Sequence, residues 1–317
     1  DNQTIVVNDL VRGEVKFNSN LLDDQVLLKS DGFPTYHLAV VVDDHLMQIS
    51  HTVRGEEWLP SAPKHVLLYD YLNWQMPKVL HTPALRNPDK SKMSKRQGHT
   101  SLFWYKEQGF LPKALLNYLA LLGWSHPEEK EVFSRKEFVA NFDLKDISPI
   151  GPVFDIEKLE WMNGVYIREK SDQELAELLK PYLPNLDDDQ IKQAVPLIKD
   201  RLKRLSDVKQ LLNFVISDIE YDLDLLLNRG TEKEVAKQML MQTKKIVKKA
   251  NLNEIDEVKT RLRQMIENND WSMGEYFMVL RVTICGSKVT PPIVESLPIL
   301  GKEKVIKRLD KGISKLS

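Results

Sequence analysis

Tyr36-His37-Leu38-Ala39-Val40-Val41-Val42, closed by Asp43-Asp44, is the stretch on which the fold of the first hundred residues turns. It is an almost unbroken apolar run, of the kind that suits a strand buried on both faces of a parallel sheet. Upstream, Val26-Leu27-Leu28 reads as a short strand ended by Ser30-Asp31-Gly32, and Thr4-Ile5-Val6-Val7 is strand-like. Downstream, Leu46 to Val53 alternates loosely and reads as another strand. Pro63 then opens a helix over Lys64 to Leu72, since proline is well tolerated in a first helical turn. Val79-Leu80 reads as the next strand. Strand, helix and strand in succession predict a crossover unit of an α/β nucleotide-binding sheet.

Past residue 100 the pattern turns helical. Leu115, Leu119 and Leu122 have helical spacing, with Gly123 placed to end the helix. Asp155 to Ile167, which includes Trp161, Asn163 and Tyr166, reads as a helix. Ser171 with Glu174, and Thr231 with Glu234, have the spacing of capping boxes. Ile306, Leu309, Ile313 and Leu316 give a closing helix its apolar stripe. No internal repeat or low-complexity linker interrupts the chain. The expectation is a partial Rossmann-like α/β domain followed by all-α domains.

Composition narrows the function classes. At 317 residues, two or three domains are expected, and 42% hydrophobic residues are enough for real cores. The 45 basic and 46 acidic residues give a net charge of -1, so binding to nucleic acid must come from local basic faces. The single cysteine, Cys285, excludes an internal disulfide framework and a cysteine-based zinc site, and fits a reducing cytoplasm. No apolar run approaches the ~18 residues that a membrane helix needs. The start, Asp1-Asn2-Gln3-Thr4, has neither the basic nor the apolar region of a signal peptide. It runs into a strand without an initiator methionine, as a chain cut inside a domain would, although processing could also remove a start.

Two constellations carry chemistry. The first is Asp89-Lys90-Ser91-Lys92-Met93-Ser94-Lys95-Arg96-Gln97-Gly98, which follows a strand and an Asn87-Pro88 turn and reads as a surface loop. Four cations within seven residues, interleaved with serines, make a cradle for polyphosphate. Positioned ammonium groups there favour a transition state in which charge builds on phosphorus. The plainer alternative is a solvated basic loop. The second constellation runs from Asp31 to Ala39, then through Val42-Asp43-Asp44-His45-Leu46-Met47 to Arg54-Gly55-Glu56-Glu57-Trp58. Tyr36 and His37 are expected at one end of a buried strand and Arg54 at the end of the next, where α/β sheets place ligand-binding groups. Arginine can hold a carboxylate through two parallel hydrogen bonds, and a tyrosine hydroxyl adds orientation. Taken singly, a tyrosine more often packs and an arginine more often forms a surface ion pair.

Lys92-Met93-Ser94-Lys95-Arg96 resembles the KMSKS signature of class I aminoacyl-tRNA synthetases. Together with the pocket segments, Asn8-Asp9-Leu10-Val11-Arg12-Gly13, Leu85-Arg86-Asn87-Pro88, Gly151-Pro152-Val153-Phe154-Asp155 and Trp161-Met162-Asn163-Gly164, it makes almost the whole chain similar to bacterial-type glutamyl-tRNA synthetases. That resemblance implies ATP with Mg2+ as substrate, with Lys92, Ser94 and Lys95 on its phosphates and Glu57 near the adenylate. Lys92 and Lys95 would be catalytic. It implies that Tyr36 and Arg54 bind L-glutamate, Arg54 through the side-chain carboxylate. Val40 departs from the asparagine common in the family. The segment Asp43-Asp44-His45 occurs in the family without a protein-bound metal, so no metal site is expected.

The resemblance also implies domains. Residues 1–30 would end an acceptor-binding insertion, and 31–100 would be the second half of the catalytic domain. Residues 101–170 would be a stem-contact region, with 171–317 a helical anticodon-binding domain. The partner would be tRNA(Glu), with Trp161 in the stem-contact region, Arg201 aligned with an anticodon-reading arginine, and Cys285 where a small residue lies near the anticodon. Basic clusters at Lys199 to Arg204, at Lys244, Lys245, Lys248 and Lys249, and from Lys302 to Lys315 would supply phosphate contacts. The family suggests a monomer in the cytoplasm. Its HIGH-type histidine motif is absent from these 317 residues, so the chain alone is expected to be an inactive fragment. Three other readings stay open: an enzyme that also charges the glutamine tRNA, a glutaminyl or glutamyl-queuosine type, and a non-catalytic tRNA-binding module. The long helical half weighs against the glutaminyl and queuosine types.

Overall fold

The computed structural model describes residues 3–91, 93, 101–227 and 230–317. The chain folds into two compact units, Asp1–Trp104 with Pro112–Met162, and Tyr105–Leu111 with Asn163–Ser317.

The first unit is built on a mixed four-stranded sheet of order β2-β1-β4-β3. Strand β1 (Thr4–Asp9) alternates strictly, sending Ile5, Val7 and Asp9 inward, as the two-residue period of a strand requires. It pairs antiparallel with β2 (Gly13–Asn18), from Thr4 opposite Asn18 to Asp9 opposite Gly13. The connecting turn is fixed by Asp9, whose Oδ1 accepts from the backbone N–H groups of Val11 and Arg12, both at 2.9 Å. Helix α1 (Tyr36–Leu46) follows, then β3 (His51–Gly55), α2 (Ala62–Tyr71) and β4 (Lys78–Thr82). Strands β3 and β4 pair in parallel across α2, which is the crossover unit expected from the sequence. Val7, Ala62 and Val79 form one small core, and Val41, Leu68 and Tyr69 form another.

Tyr36–Val42 is not a strand. It opens α1, and only Val41 of that helix is fully buried. The inward residues His37, Val41, Asp44 and His45 recur at helical spacing, so one face collects two histidines and a carboxylate. The apolar run is short enough to satisfy either period, and Asp43 to Leu46, which look like its terminator, prolong the same helix. Val26-Leu27-Leu28 is not a strand either; Leu28 makes a single bridge to Pro34. Of Leu46 to Val53, only the part from His51 is strand.

The helical part of this unit includes α3 (Leu102–Gln108), whose last residues belong to the second unit, and then α4 (Pro112–Leu121) and α5 (Arg135–Asn141). Helix α6 (Ile156–Arg168) matches the expected helix and is divided between the units at Met162. Trp124 packs edge-on to Phe133 and Phe138, closing a local aromatic core.

The second unit is helical throughout its described residues. It comprises α7 (Asp172–Leu179), α8 (Asp188–Ile198), the single turns α9 (Val208–Leu211), α10 (Asn213–Ile216) and α11 (Leu223–Leu226), and α12 (Lys233–Lys249). It ends with α13 (Ile255–Asn268), α14 (Met273–Cys285), α15 (Ile293–Leu300) and α16 (Lys302–Lys315). The capping box at Ser171 and Glu174 forms in both directions and opens α7. The one expected at Thr231 and Glu234 does not form: Glu232 is the cap residue of α12, and the Thr231 hydroxyl is buried with no hydrogen-bond partner among the described residues.

Helix α16 makes a ladder that its apolar stripe did not announce. Lys304 donates to the carbonyl of Val215 at 2.7 Å, and Arg308 to Ser217 at 3.1 Å. Lys311 donates to Ile219 at 3.1 Å, and Lys315 to Tyr221 at 2.7 Å. The four cations follow a helical period and the four carbonyls alternate, so a helix edge does for residues 215–221 what a neighbouring strand would do. Lys302 likewise donates to Ala250 O at 3.0 Å. Most of the basic run from Lys302 to Lys315 is thus engaged within the fold.

Candidate functional site

In the first unit, α1, β3 and α2 bring polar side chains to one place. Arg54 lies on β3, with its side chain 16% exposed. Its Nη1 donates to His65 Nδ1, on α2, at 2.8 Å, and its Nη2 lies 3.6 Å from Asp44 Oδ2, on α1. His65 is buried, and its Nε2 lies 3.0 Å from Nδ1 of His37, at the start of α1. The protons follow from chemistry. Guanidinium has donors only, so His65 Nδ1 must accept; its proton is on Nε2, which donates to His37.

Burial first, then the neighbouring Arg54 cation, pushes His65 down to about 3, so it is neutral across the physiological range. Burial also lowers His37, with Lys64 and Arg54 acting in the same direction. Burial raises Asp44 while Arg54 opposes the shift. Tyr69, whose hydroxyl donates to Val41 O at 3.4 Å, is pushed up to about 12, mainly by burial. The Arg54 guanidinium is thus flanked by one neutral imidazole and one carboxyl group whose ionised form is disfavoured by burial.

Tyr36 stands at the first position of α1, not at a strand end. Its ring packs on Trp58 with centroids 4.8 Å apart and meets the His37 ring edge-on at 5.6 Å. Tyr36 and Arg54 are thus joined through His37 and His65. Glu57 is exposed and folds back over Gly55, where a Cβ would strike its carboxylate. Beside the site, Arg12 bonds Glu56 at 2.7 Å, and Glu56 also accepts from the Ala84 N–H at 3.1 Å. Those contacts, the Ala84 N–H first, hold Glu56 below the usual carboxylate range. Buried Asp9 and His81 pair at 2.6 Å under the same sheet. Sequence reading missed His65, Asp44 as a partner of Arg54, and the Asp9–His81 pair. The helical spacing of 37, 41 and 44 could have signalled Asp44, whereas His65 lies on α2 and that spacing says nothing of it.

Lys92, Ser94 and Lys95 lie outside the described residues. The turn leading to them is described. Asn87 Nδ2 donates to Ser91 Oγ at 2.9 Å, the Ser91 amide donates to Asp89 Oδ1 at 2.9 Å, and Met93 N–H donates to Leu85 O at 3.0 Å. Arg86 bridges in parallel to Val153, tying the turn to the segment before α6. Trp161 is 45% exposed on α6. Arg201 donates to Thr290 O at 3.0 Å, and Cys285 is buried at the end of α14 with its thiol pushed up to about 12 by burial. Val40 is half-buried on α1. Among the described residues, no group of three His, Cys, Asp or Glu side chains is arranged to hold a metal, and no helix is long and apolar enough to cross a membrane.

Residues 1–161 match the family described as tRNA synthetases class I (E and Q), catalytic domain. The chain belongs to that family. Residues 174–313 match the anticodon binding domain. Among relatives of this synthetase family, the glutamate–tRNA ligase of Acidothermus cellulolyticus is 42% identical, over 98% of this chain and 64% of the relative. Those of Dehalococcoides mccartyi and Thermus thermophilus are 40% and 41% identical, each aligned over 67% of its own length. The solved glutamate tRNA ligase of Elizabethkingia meningosepticum, crystallised in complex with its amino acid, superposes with a TM-score of 0.88 at 31% identity, over 100% of this chain and 67% of that one. The chain thus spans about two thirds of the length of the curated relatives it matches.

Proposed function

We propose that this synthetase chain supplies the glutamate-side-chain pocket, the phosphate loop and the tRNA-reading helical part of a glutamate–tRNA ligase, which activates glutamate with ATP and transfers it to the 3′ end of tRNA(Glu). The observation that carries the reading is Arg54: a guanidinium on a strand, mostly shielded from solvent, braced by neutral His65 and close to Asp44. A cation so braced matches a substrate carboxylate better than an amide, because a carboxylate accepts two parallel donations and brings opposite charge. Tyr36, packed on Trp58, would face the amino acid beside it.

Lys92 and Lys95, with Ser94, would bear on the phosphates of ATP carrying Mg2+, and Glu57 would lie towards the adenylate. In the helical half, residues 171–317 would read the anticodon through Arg201 and the neighbourhood of Cys285, and 101–170, including Trp161, would follow the tRNA stem. Residues 1–30 would belong to the acceptor-binding insertion and 31–100 to the catalytic sheet. The protein would act as a cytoplasmic monomer.

The 317 residues contain no His-x-Gly-His motif, which holds the adenine end of ATP in class I enzymes. The chain by itself is therefore expected to give no glutamate-dependent ATP–pyrophosphate exchange while still binding tRNA(Glu). That assay tests both halves of the reading. Clear exchange would show that ATP is held another way, and loss of both exchange and tRNA binding would contradict the proposal.

A further inference from the structure

His65 links three elements of the first unit through its two ring nitrogens. It sits on α2, is buried, and bonds β3 through Arg54 at 2.8 Å and α1 through His37 at 3.0 Å. Both contacts have a direction imposed by chemistry. Arg54 can only donate, so one nitrogen of His65 is an acceptor and the other carries the proton. That proton is given to His37 Nδ1, so a neutral His37 must carry its own proton on Nε2. A second tautomer of either ring would place two donors, or two acceptors, face to face in a buried site, which costs the full desolvation of an unpaired group. Protonating His65 would set an imidazolium against a guanidinium, which burial and the two charges oppose.

We infer that His65 is a positioning residue for amino-acid recognition: it fixes the direction of the Arg54 guanidinium and, by the same proton, the tautomer of His37 beside Tyr36. This rests on the reading of Arg54 as the holder of the glutamate side-chain carboxylate. Without His65, the side-chain contact left to the Arg54 guanidinium among the described residues is the longer one with Asp44, at 3.6 Å, and the guanidinium swings towards it. A guanidinium drawn onto Asp44 is offered poorly to a substrate carboxylate, so glutamate loses affinity while the fold survives. Glutamine can replace His65, since its amide oxygen accepts from Arg54 and its NH2 donates to His37.

The test uses the purified 317-residue chain and two readouts. Long-range proton–nitrogen spectra of the imidazole rings at neutral pH report the tautomers. Titration with L-glutamate, and with L-glutamine as comparison, reports the site. In the wild-type chain both rings are expected neutral with the proton on Nε2, and His65 should lose that fixed form in Arg54→Met. Glutamate affinity should fall about tenfold or more in His65→Leu, as for loss of a charge-assisted hydrogen bond, and by no more than about threefold in His65→Gln. Far-ultraviolet circular dichroism checks each variant's fold. Should His65→Leu not fold, the ring spectra and His65→Gln decide instead.

A His65 ring protonated at neutral pH, or carrying its proton on Nδ1, overturns the positioning role. So does wild-type affinity in a folded His65→Leu when Arg54→Met has lost glutamate. Wild-type affinity in Arg54→Met, or no glutamate binding by the wild-type chain, overturns instead the glutamate reading on which this inference rests.

Discussion

Asn163 is fully buried, and each polar atom of its side chain has a partner. Its oxygen accepts from Leu111 N–H at 2.7 Å, and its nitrogen donates to Lys203 O at 2.6 Å and to Gly109 O at 3.4 Å. It therefore ties three segments of the second unit together. Asn163→Leu takes the acceptor from the Leu111 N–H and a donor from the Lys203 and Gly109 carbonyls, of which Gly109 O keeps the Leu205 N–H at 3.1 Å, and should cost about 3 kcal/mol, read from the urea midpoint. A cost under about 1 kcal/mol would mean that water replaces these bonds. Gly109 shows the same closeness in its backbone. Its φ is +81°, and a Cβ there would come within 2.6 Å of the Leu205 Cβ and 2.8 Å of the Leu205 nitrogen. His65 makes a prediction about pH. Folded, it is held near 3, against 6.5 for an ordinary histidine. Between those values the unfolded chain binds the extra proton, so stability is fully present above pH 6.5 and is lost as pH falls towards 3. His65→Gln should flatten that acid slope, worth on the order of a few kcal/mol across the window. An unchanged slope in an acid titration of the melting temperature would contradict it.

Two elements show what a sequence hides. The run from Tyr36 misleads because seven residues, all apolar but His37, fit a buried strand as well as a helix, and because the acidic pair after them resembles a stop. Asp43-Asp44-His45-Leu46 belong to the helix, and the site depends on that, since only a helical period puts His37 and Asp44 on one face. The polar residues of a functional face break the amphipathic pattern by which such a helix is recognised. Strands β1 and β4, helix α2 and the Ser171 cap are legible, because alternation, a proline in the first turn and a capping box act locally. Helix α16 is legible as a helix but not as a ladder. In sequence its lysines resemble a solvated or RNA-facing stripe, and the carbonyls they meet lie about ninety residues earlier in the chain. Arg308 is buried and donates to two carbonyls, Ile284 O at 2.5 Å and Ser217 O at 3.1 Å, whereas the Lys311 side chain is 41% exposed. Arg308→Met should therefore cost about 3 kcal/mol and Lys311→Met below about 1 kcal/mol, measured by denaturant unfolding. Equal effects would show that the ladder acts through charge alone.

Over the whole molecule, 45 basic and 46 acidic residues nearly cancel, so affinity for a polyanion must come from the cations that the fold leaves unengaged. Lys199 is engaged by Asp172 and Lys170 O, Arg204 by Asp207, and Lys244 by Asp310. On α12, Lys245, Lys248 and Lys249 are exposed and have no acidic partner among the described residues. Backbone phosphates would meet these lysines. Lys248→Glu with Lys249→Glu should weaken tRNA binding uniformly and lower the salt slope by about one for each phosphate no longer neutralised. The most direct test of the chain as the tRNA-reading part of a glutamate–tRNA ligase is its equilibrium binding to tRNA(Glu), measured across salt and against the same tRNA with a substituted anticodon. The account predicts binding that falls steeply and linearly in log–log form with salt, and weaker binding to the substituted tRNA. No binding at low salt, or equal affinity for the two tRNAs, would contradict it.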